Sequence, residues 1–478
     1  MKLFKMLPTM AVLMGLANLA GAAQNLVDIY RLASQNDPLI HQYEQNRKAA
    51  GESVPIARSK LFPTITAQAN EQASDNRIDY HSMAASTAAA SRESMVRHWN
   101  NNQISLGLSI NQPIWHRETY IQIAQADDQV AQAEAQFYAA EQDLMLRAYK
   151  GYFAVLSAYD DLRTRVAERE ANQRQYEQAD QRFQVGLSAI TDVYDAKSVY
   201  ERSRADVIVA ENALDDAKVA LGEIIGTPVT DLIRLGDDVA FIPPDPQDIE
   251  KWAVQAREKN WAIMAAAKQA EIAKKTIEIN RSSYYPRFDA VGNLLVQNSS
   301  AVSIAADQQD RQEASVGVQM AWSFYTGGEI GAKTNQAAYQ YQGALEALEQ
   351  KRRDVDLAVR QAYRGVLSSI SQVAARQAAR EAAASAMEAS RAGFDVGIRT
   401  MVDVLAAMQK LYGAERDYSK ARYDYIFNGA LLYQASSQLS PDLIEKVNTR
   451  WLTGGSSQEA ARRAYELPKP ERDPEEIR

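Results

Sequence analysis

The chain has 478 residues, with 53 lysines and arginines against 61 aspartates and glutamates, four histidines and no cysteine. The acidic balance argues against nucleic acid as a partner, and the missing thiols exclude thiolate metal sites, cysteine nucleophiles and an acylated N-terminal cysteine. Length alone suggests about three domains of roughly 150 residues each, but the internal pattern points elsewhere.

Residues 1–22 read as a secretory signal peptide. Lys2 and Lys5 form a positive start, an apolar stretch runs from Met6 to Leu19, and Ala20-Gly21-Ala22 offers a small-residue cleavage site. Losing Lys2 and Lys5 leaves 51 basic residues against 61 acidic ones, near −10. Beyond this segment no uninterrupted apolar run reaches the roughly 18 residues of a spanning helix. The mature protein is therefore expected to be soluble, peripheral or a β-barrel.

The rest of the chain is one unit used twice. Arg182-Phe183-Gln184-Val185-Gly186, followed by Thr191-Asp192-Val193, meets Gly393-Phe394-Asp395-Val396-Gly397, followed by Val402-Asp403-Val404, at an offset of 211 (397 − 186). Tyr152–Leu156 meets Tyr363–Leu367 at the same offset, and Leu106-Gly107-Leu108 meets Val316-Gly317-Val318 at 210. The first copy spans 23–226 and the second 227–438. Each reads as helix, two strands, long helix, tight turn and helix. The first copy carries a polar, alanine- and serine-rich insert from about Glu71 to Asn102, which suits an exposed loop. Residues 439–478 are charged, contain Pro468, Pro470 and Pro474, and read as a disordered tail.

Short helices are expected over Asn25–Lys60 and Ser188–Ile225, and a proline-free helix over Glu118–Gln184. Leu144, Ala148, Gly151, Val155, Tyr159, Leu162 and Val166 step by fours and threes along it, which is coiled-coil spacing. At 1.5 Å per residue that helix is roughly 100 Å long and must pack along other long helices. The strands alternate: Ile104, Leu106, Leu108 and Ile110 in the first copy, Val316, Val318, Met320 and Trp322 in the second. Such alternation fits a lipid-facing strand, and equally a half-buried strand of a soluble sandwich. Four strands cannot close a membrane barrel alone, because an open sheet in lipid leaves edge N–H and C=O groups unpaired. Two copies give a narrow barrel; three give an open one.

The repeat, the proline-led strands, the paired turns and the start Asn25-Leu26-Val27-Asp28-Ile29-Tyr30 with Asn36-Asp37-Pro38 resemble the TolC family of outer-membrane factors over about Asn25–Ser437. The resemblance implies an α+β membrane channel: a coiled-coil α-helical barrel joined to a transmembrane β-barrel shared by a homotrimer. It implies a passive outer-membrane exit duct in a Gram-negative bacterium, with a large periplasmic portion, for type I protein secretion or multidrug efflux. A periplasmic adaptor and an inner-membrane transporter of the ABC or RND type would open it.

The same resemblance assigns residues. Gln175, Thr191, Asp192 and Arg399 fall at positions linking the closed periplasmic tip, and Phe394 stands where the family has a tyrosine. Asp403 falls at the innermost constriction, where Ala406 replaces a second acidic residue, so a single acidic ring is expected, with pKa values raised by like charge. Val185-Gly186-Leu187 and Val396-Gly397-Ile398 become apolar knobs for an adaptor, their glycines also ending the long helices. No catalytic residue, metal or cofactor is expected: the four histidines lie scattered, and Gly327–Thr334 lacks the adjacent glycine and lysine of a phosphate loop. The rival reading is a periplasmic coiled-coil adaptor, or a structural trimer without a channel. An adaptor would carry one hairpin flanked by small β-domains rather than two full repeats.

Overall fold

The computed structural model describes residues 23–81, 94–236, 239–302 and 309–452; the expected leader lies outside them. Three helices open the chain, α1 (Leu26–Asn36), α2 (Pro38–Gly51) and α3 (Ser53–Ser59), followed by strands β1 (Thr64–His81) and β2 (Ser94–Trp115). The long α4 (Arg117–Gln184) turns into α5 (Ile190–Ile225). The sequence of elements then recurs as α6 (Ile249–Lys259), α7 (Trp261–Ser282), β3 (Arg287–Val302), β4 (Gln309–Ala321), α8 (Glu329–Asp395) and α9 (Met401–Ala435). A final helix α10 (Pro441–Val447) leads into a π-helical turn, Asn448–Leu452.

Two compact units form: Met1–Gln45 with Glu134–Ala265 and Glu349–Arg478, and Asn46–Ala133 with Ala266–Leu348. Both draw on both sequence copies, so the spatial division cuts across the repeat. The second unit holds an antiparallel sheet in the order β1-β2-β3-β4. Ile65 faces Ile110, Leu108 faces Leu294 and Ala290 faces Val318 across the ladders. On β2, Ile104, Leu106, Leu108 and Ile110 are exposed while Gln103, Ser105, Gly107 and Ser109 are half-buried. On β4, Val316 is 92 % exposed and Val318 70 %. The apolar face therefore points outward, which is the inverse of a soluble sheet and what a lipid-facing strand requires. β1 and β4 are edges without a partner among the described residues.

The first unit buries the expected helical stripe. Leu144, Ala148, Val155, Tyr159 and Leu162 of α4, and Val355, Val359, Ala362, Val366 and Val373 of α8, are all buried. Gly151 belongs to the same stripe because a Cβ there would lie 2.9 Å from Leu221 Cδ1 of α5.

Three expectations change. The opening helix is broken at Asp37, which turns extended (φ −67°, ψ 118°) because Pro38 disfavours a helical residue before it. Asp37 accepts hydrogen bonds from the Ile40 N–H at 2.9 Å and from Arg147 Nη1 at 2.7 Å. Burial pushes its carboxyl up, but those bonds outweigh it and hold the group below its ordinary range. Secondly, much of the insert from Glu71 to Asn102 is strand rather than loop: Glu71 pairs with Ile104 and His81 with Ser94. A hairpin ladder is made by backbone groups and can run past the apolar band, which needs only about 9–11 residues to span lipid. Residues 82–93 lie outside the description. Thirdly, the charged tail begins later than Leu439, since α10 buries Ile444 and the turn after it buries Leu452; residues 453–478 are not described.

Candidate functional site

The two helix–turn–helix tips both lie in the first unit. Each long helix ends in a glycine with positive φ, Gly186 at 77° and Gly397 at 80°. Around each, the same pair of backbone bonds closes the turn. Leu187 N–H donates to Arg182 O at 2.8 Å and Gly186 N–H to Phe183 O at 2.9 Å; Ile398 N–H donates to Gly393 O at 2.8 Å and Gly397 N–H to Phe394 O at 3.0 Å. This Schellman arrangement needs a left-handed residue, which explains the glycines. It also turns the flanking apolar residues outward: Val185, Leu187, Val396 and Ile398 are 69–81 % exposed.

Behind the turns, Ala179, Val193, Ala196, Met401 and Leu405 form a small buried core, with Tyr176, Val199 and Phe394 packed against it. It joins residues of both sequence copies. Gln175, 8 % exposed, donates from Nε2 to Met401 Sδ at 3.1 Å. Gln175, the link expected in the first copy, is thus tied to a residue of the second copy within one chain. Phe394 also carries Arg182 over its ring, with Cζ 4.7 Å from the centroid.

The remaining expected residues divide. Thr191 is exposed and Asp192 half-buried in the first turn of α5, whose N-cap Ala189 makes no side-chain bond. Among the described residues Arg399 makes no ion pair with Asp192. Its stem lies against Gly393, where a Cβ would fall 2.8 Å from Arg399 Cγ. Asp403 stands at the third position of α9 and forms a reciprocal capping box with Thr400: its N–H donates to Thr400 Oγ1 at 3.2 Å, and its Oδ2 accepts from Thr400 N–H at 3.0 Å. The Thr400 backbone N–H and hydroxyl hold the Asp403 carboxyl below its ordinary range, and Arg399 adds to this. Within one chain the direction is therefore opposite to the rise expected of an acidic ring, which needs like charges from other copies. Sequence reasoning missed Arg182, Thr400 and Met401. The 211-residue offset held the signal for the first two, since it sets Arg182 against Gly393 and Ala189 against Thr400.

The model of the outer membrane efflux protein family matches residues 29–227 and 252–437. The chain belongs to that family. It is 35 % identical over 446 residues to the outer membrane protein TolC of Vibrio cholerae serotype O1, covering 93 % of this chain and 98 % of that one. It is 25 % identical over 434 residues to the alkaline protease secretion protein AprF of Pseudomonas aeruginosa, covering 90 % and 88 %. Its fold matches the solved structure of CusC with a TM-score of 0.72 at 16 % identity, over 87 % of this chain and 92 % of that one. The fold class is that of a helical barrel with a β-domain, and the protein is an outer-membrane exit duct of the secretion and efflux kind. The outward apolar face of its sheet fits the lipid-facing surface such a location demands.

Proposed function

We propose that this efflux protein works as a homotrimer whose three sheets join edge to edge, β1 of one copy against β4 of the next, into one twelve-stranded barrel. The observation carrying this reading is the four-stranded sheet with two unpartnered edges and an outward apolar face. Lipid tolerates no open edge, so a partner strand must come from another copy. The protein is a passive duct and not an enzyme. Energy comes from an inner-membrane transporter of the ABC or RND type, and a periplasmic adaptor seats on Val185-Gly186-Leu187 and Val396-Gly397-Ile398. These knobs support that role because exposed valine, leucine and isoleucine at a turn have no use within the chain.

The tips close the duct. Gln175, Thr191, Asp192, Phe394 and Arg399 restrain them, with Asp192 of one copy meeting Arg399 of another, and Asp403 from three copies forms one acidic layer that favours cations. The test is extraction and recording of the full mature protein. It should leave outer membranes only in detergent, migrate as a trimer until heated, and conduct cations in planar bilayers. Asp403→Asn, which keeps an acceptor for Thr400 but removes the charge, should weaken cation preference about twofold or more. A water-soluble monomer with native helix content would overturn the channel, and unchanged selectivity would move the acidic layer elsewhere.

A further inference from the structure

Position 182 of the first tip corresponds to position 393 of the second (393 − 182 = 211), and the two are opposites, arginine and glycine. The reverse holds six residues on, where Ser188 matches Arg399. Each tip thus carries one arginine, at a different place. In the second tip the glycine leaves a slot that the Arg399 stem fills. In the first, the Arg182 guanidinium leaves its own hairpin and lies over the ring of Phe394, 4.7 Å from its centroid.

Arg182 Nη1 is cut off from solvent and has no hydrogen-bond partner among the described residues. A guanidinium nitrogen withdrawn from water needs compensation, and the negative face of an aromatic ring supplies it to a planar, weakly hydrated cation. The ring is also anchored by the tip core, since Phe394 packs against Ala179, Val193, Ala196, Met401 and Leu405. The ring therefore meets both an apolar bed and a cation. No reciprocal contact can form on Phe183 from the matching position, because Gly393 has no side chain there.

We propose that Arg182 is a further positioning residue of the tip, clasping the second hairpin to the first through its cation–π contact with Phe394. The clasp rests on the gate reading for its effect on the duct, but not for its existence. It needs no hydroxyl on the ring, so it gives the phenylalanine at 394 a link of its own.

The test is a double-mutant cycle on the full-length trimer, combining Arg182→Gln and Phe394→Leu, with Arg182→Lys as the conservative variant. Amide hydrogen exchange over 393–401 reports the second hairpin, and single-channel conductance reports the duct. Each single substitution should speed exchange there about threefold to fivefold, the scale of a partly desolvated cation–π contact. The double variant should be no faster than either single one, and Arg182→Lys should keep part of the protection. Trimer yield should hold in all of them. Exchange unaffected by Arg182→Gln, or single effects that add in the double variant, would overturn the clasp. Faster exchange with unchanged conductance would leave the clasp standing and remove the gate reading instead.

Discussion

The two tips share a backbone and differ in what holds it. Both turn through a left-handed glycine with matching hydrogen bonds. The second is fastened locally: Thr400 and Asp403 cap α9 reciprocally, and Arg399 lies in the slot above Gly393. The first has alanine at the cap, so Asp192, which matches Asp403 in the repeat, is not engaged by it. Ser188 Oγ donates across the turn to Ala179 O at 3.4 Å, and two further side chains reach the second copy, Gln175 to Met401 and Arg182 to Phe394. Duplication supplies one hairpin twice; divergence then gives one copy the reciprocal cap and the other the side chains that join two turns. A hairpin that closes itself can serve as the anvil for one that does not.

The largest expected break in this asymmetry is at the cap. Thr400→Ala should cost about 1 kcal/mol of local stability, the usual worth of such a cap, and raise amide exchange in the first turn of α9 about fivefold. Ala189→Thr should do the reverse in α5, because Asp192 already waits three residues on for the reciprocal bond. Acid gives a second handle on the same box. The folded Asp403 carboxyl is held below its ordinary range, so its contribution is complete above about pH 4, the unfolded value. It is lost as pH falls through the lower folded value. Exchange corrected for intrinsic pH effects should therefore loosen in the second tip below pH 4 in the native protein and show a smaller step in Thr400→Ala, which loses the hydroxyl but keeps the backbone N–H that also holds the carboxyl. Equal acid responses with and without Thr400 would mean the box is not what distinguishes the tips.

What the sequence disclosed follows from the kind of physics involved. The long helices were legible because Leu144 through Leu162 repeat at helical spacing over many turns, and the strands because Ile104 to Ile110 alternate. In the insert, alanine and serine signal a loop by composition, whereas the ladder pairing Glu71 with Ile104 is made by backbone groups that composition does not report. The break at Asp37 is marked in the sequence by Pro38, which disfavours a helical residue before it. The turns themselves stood out through their glycines. The links between them did not, since Gln175 and Met401 are 226 residues apart and no local pattern ties an amide to a thioether.

A second break concerns Arg399. Arg399→Ser should raise single-channel conductance severalfold at most, because an accessible ion pair is worth no more than about 1 kcal/mol. Trimer yield should be nearly unchanged. Gly393→Ala sharpens this test without touching the charge: its Cβ would collide with the Arg399 stem and push the guanidinium from its place. The two variants should then open the duct to a similar extent. If Gly393→Ala leaves conductance unaltered while Arg399→Ser raises it, the charge acts wherever the stem lies, and the slot is only a turn. Loss of assembly in either would make the residue structural.

The smallest expected effect comes from Phe394→Tyr, and it separates ring from hydroxyl. Tyrosine keeps an aromatic face for Arg182 and the same bed on the tip core, so the clasp should survive with its exchange protection intact. What is new is one O–H donor, carried by a half-buried ring, on the tip where Gln175 and Asp192 supply acceptors from the first copy. A single hydrogen bond of this kind contributes about 0.5–1.5 kcal/mol, and less where water competes. Conductance should fall about twofold, or opening should slow by a similar factor, and the change should vanish in combination with Asp192→Ala if that carboxylate is the acceptor. A rise in conductance would show that the hydroxyl disturbs the stack instead of adding to it, and that a bare ring under an arginine is the arrangement this tip is built around.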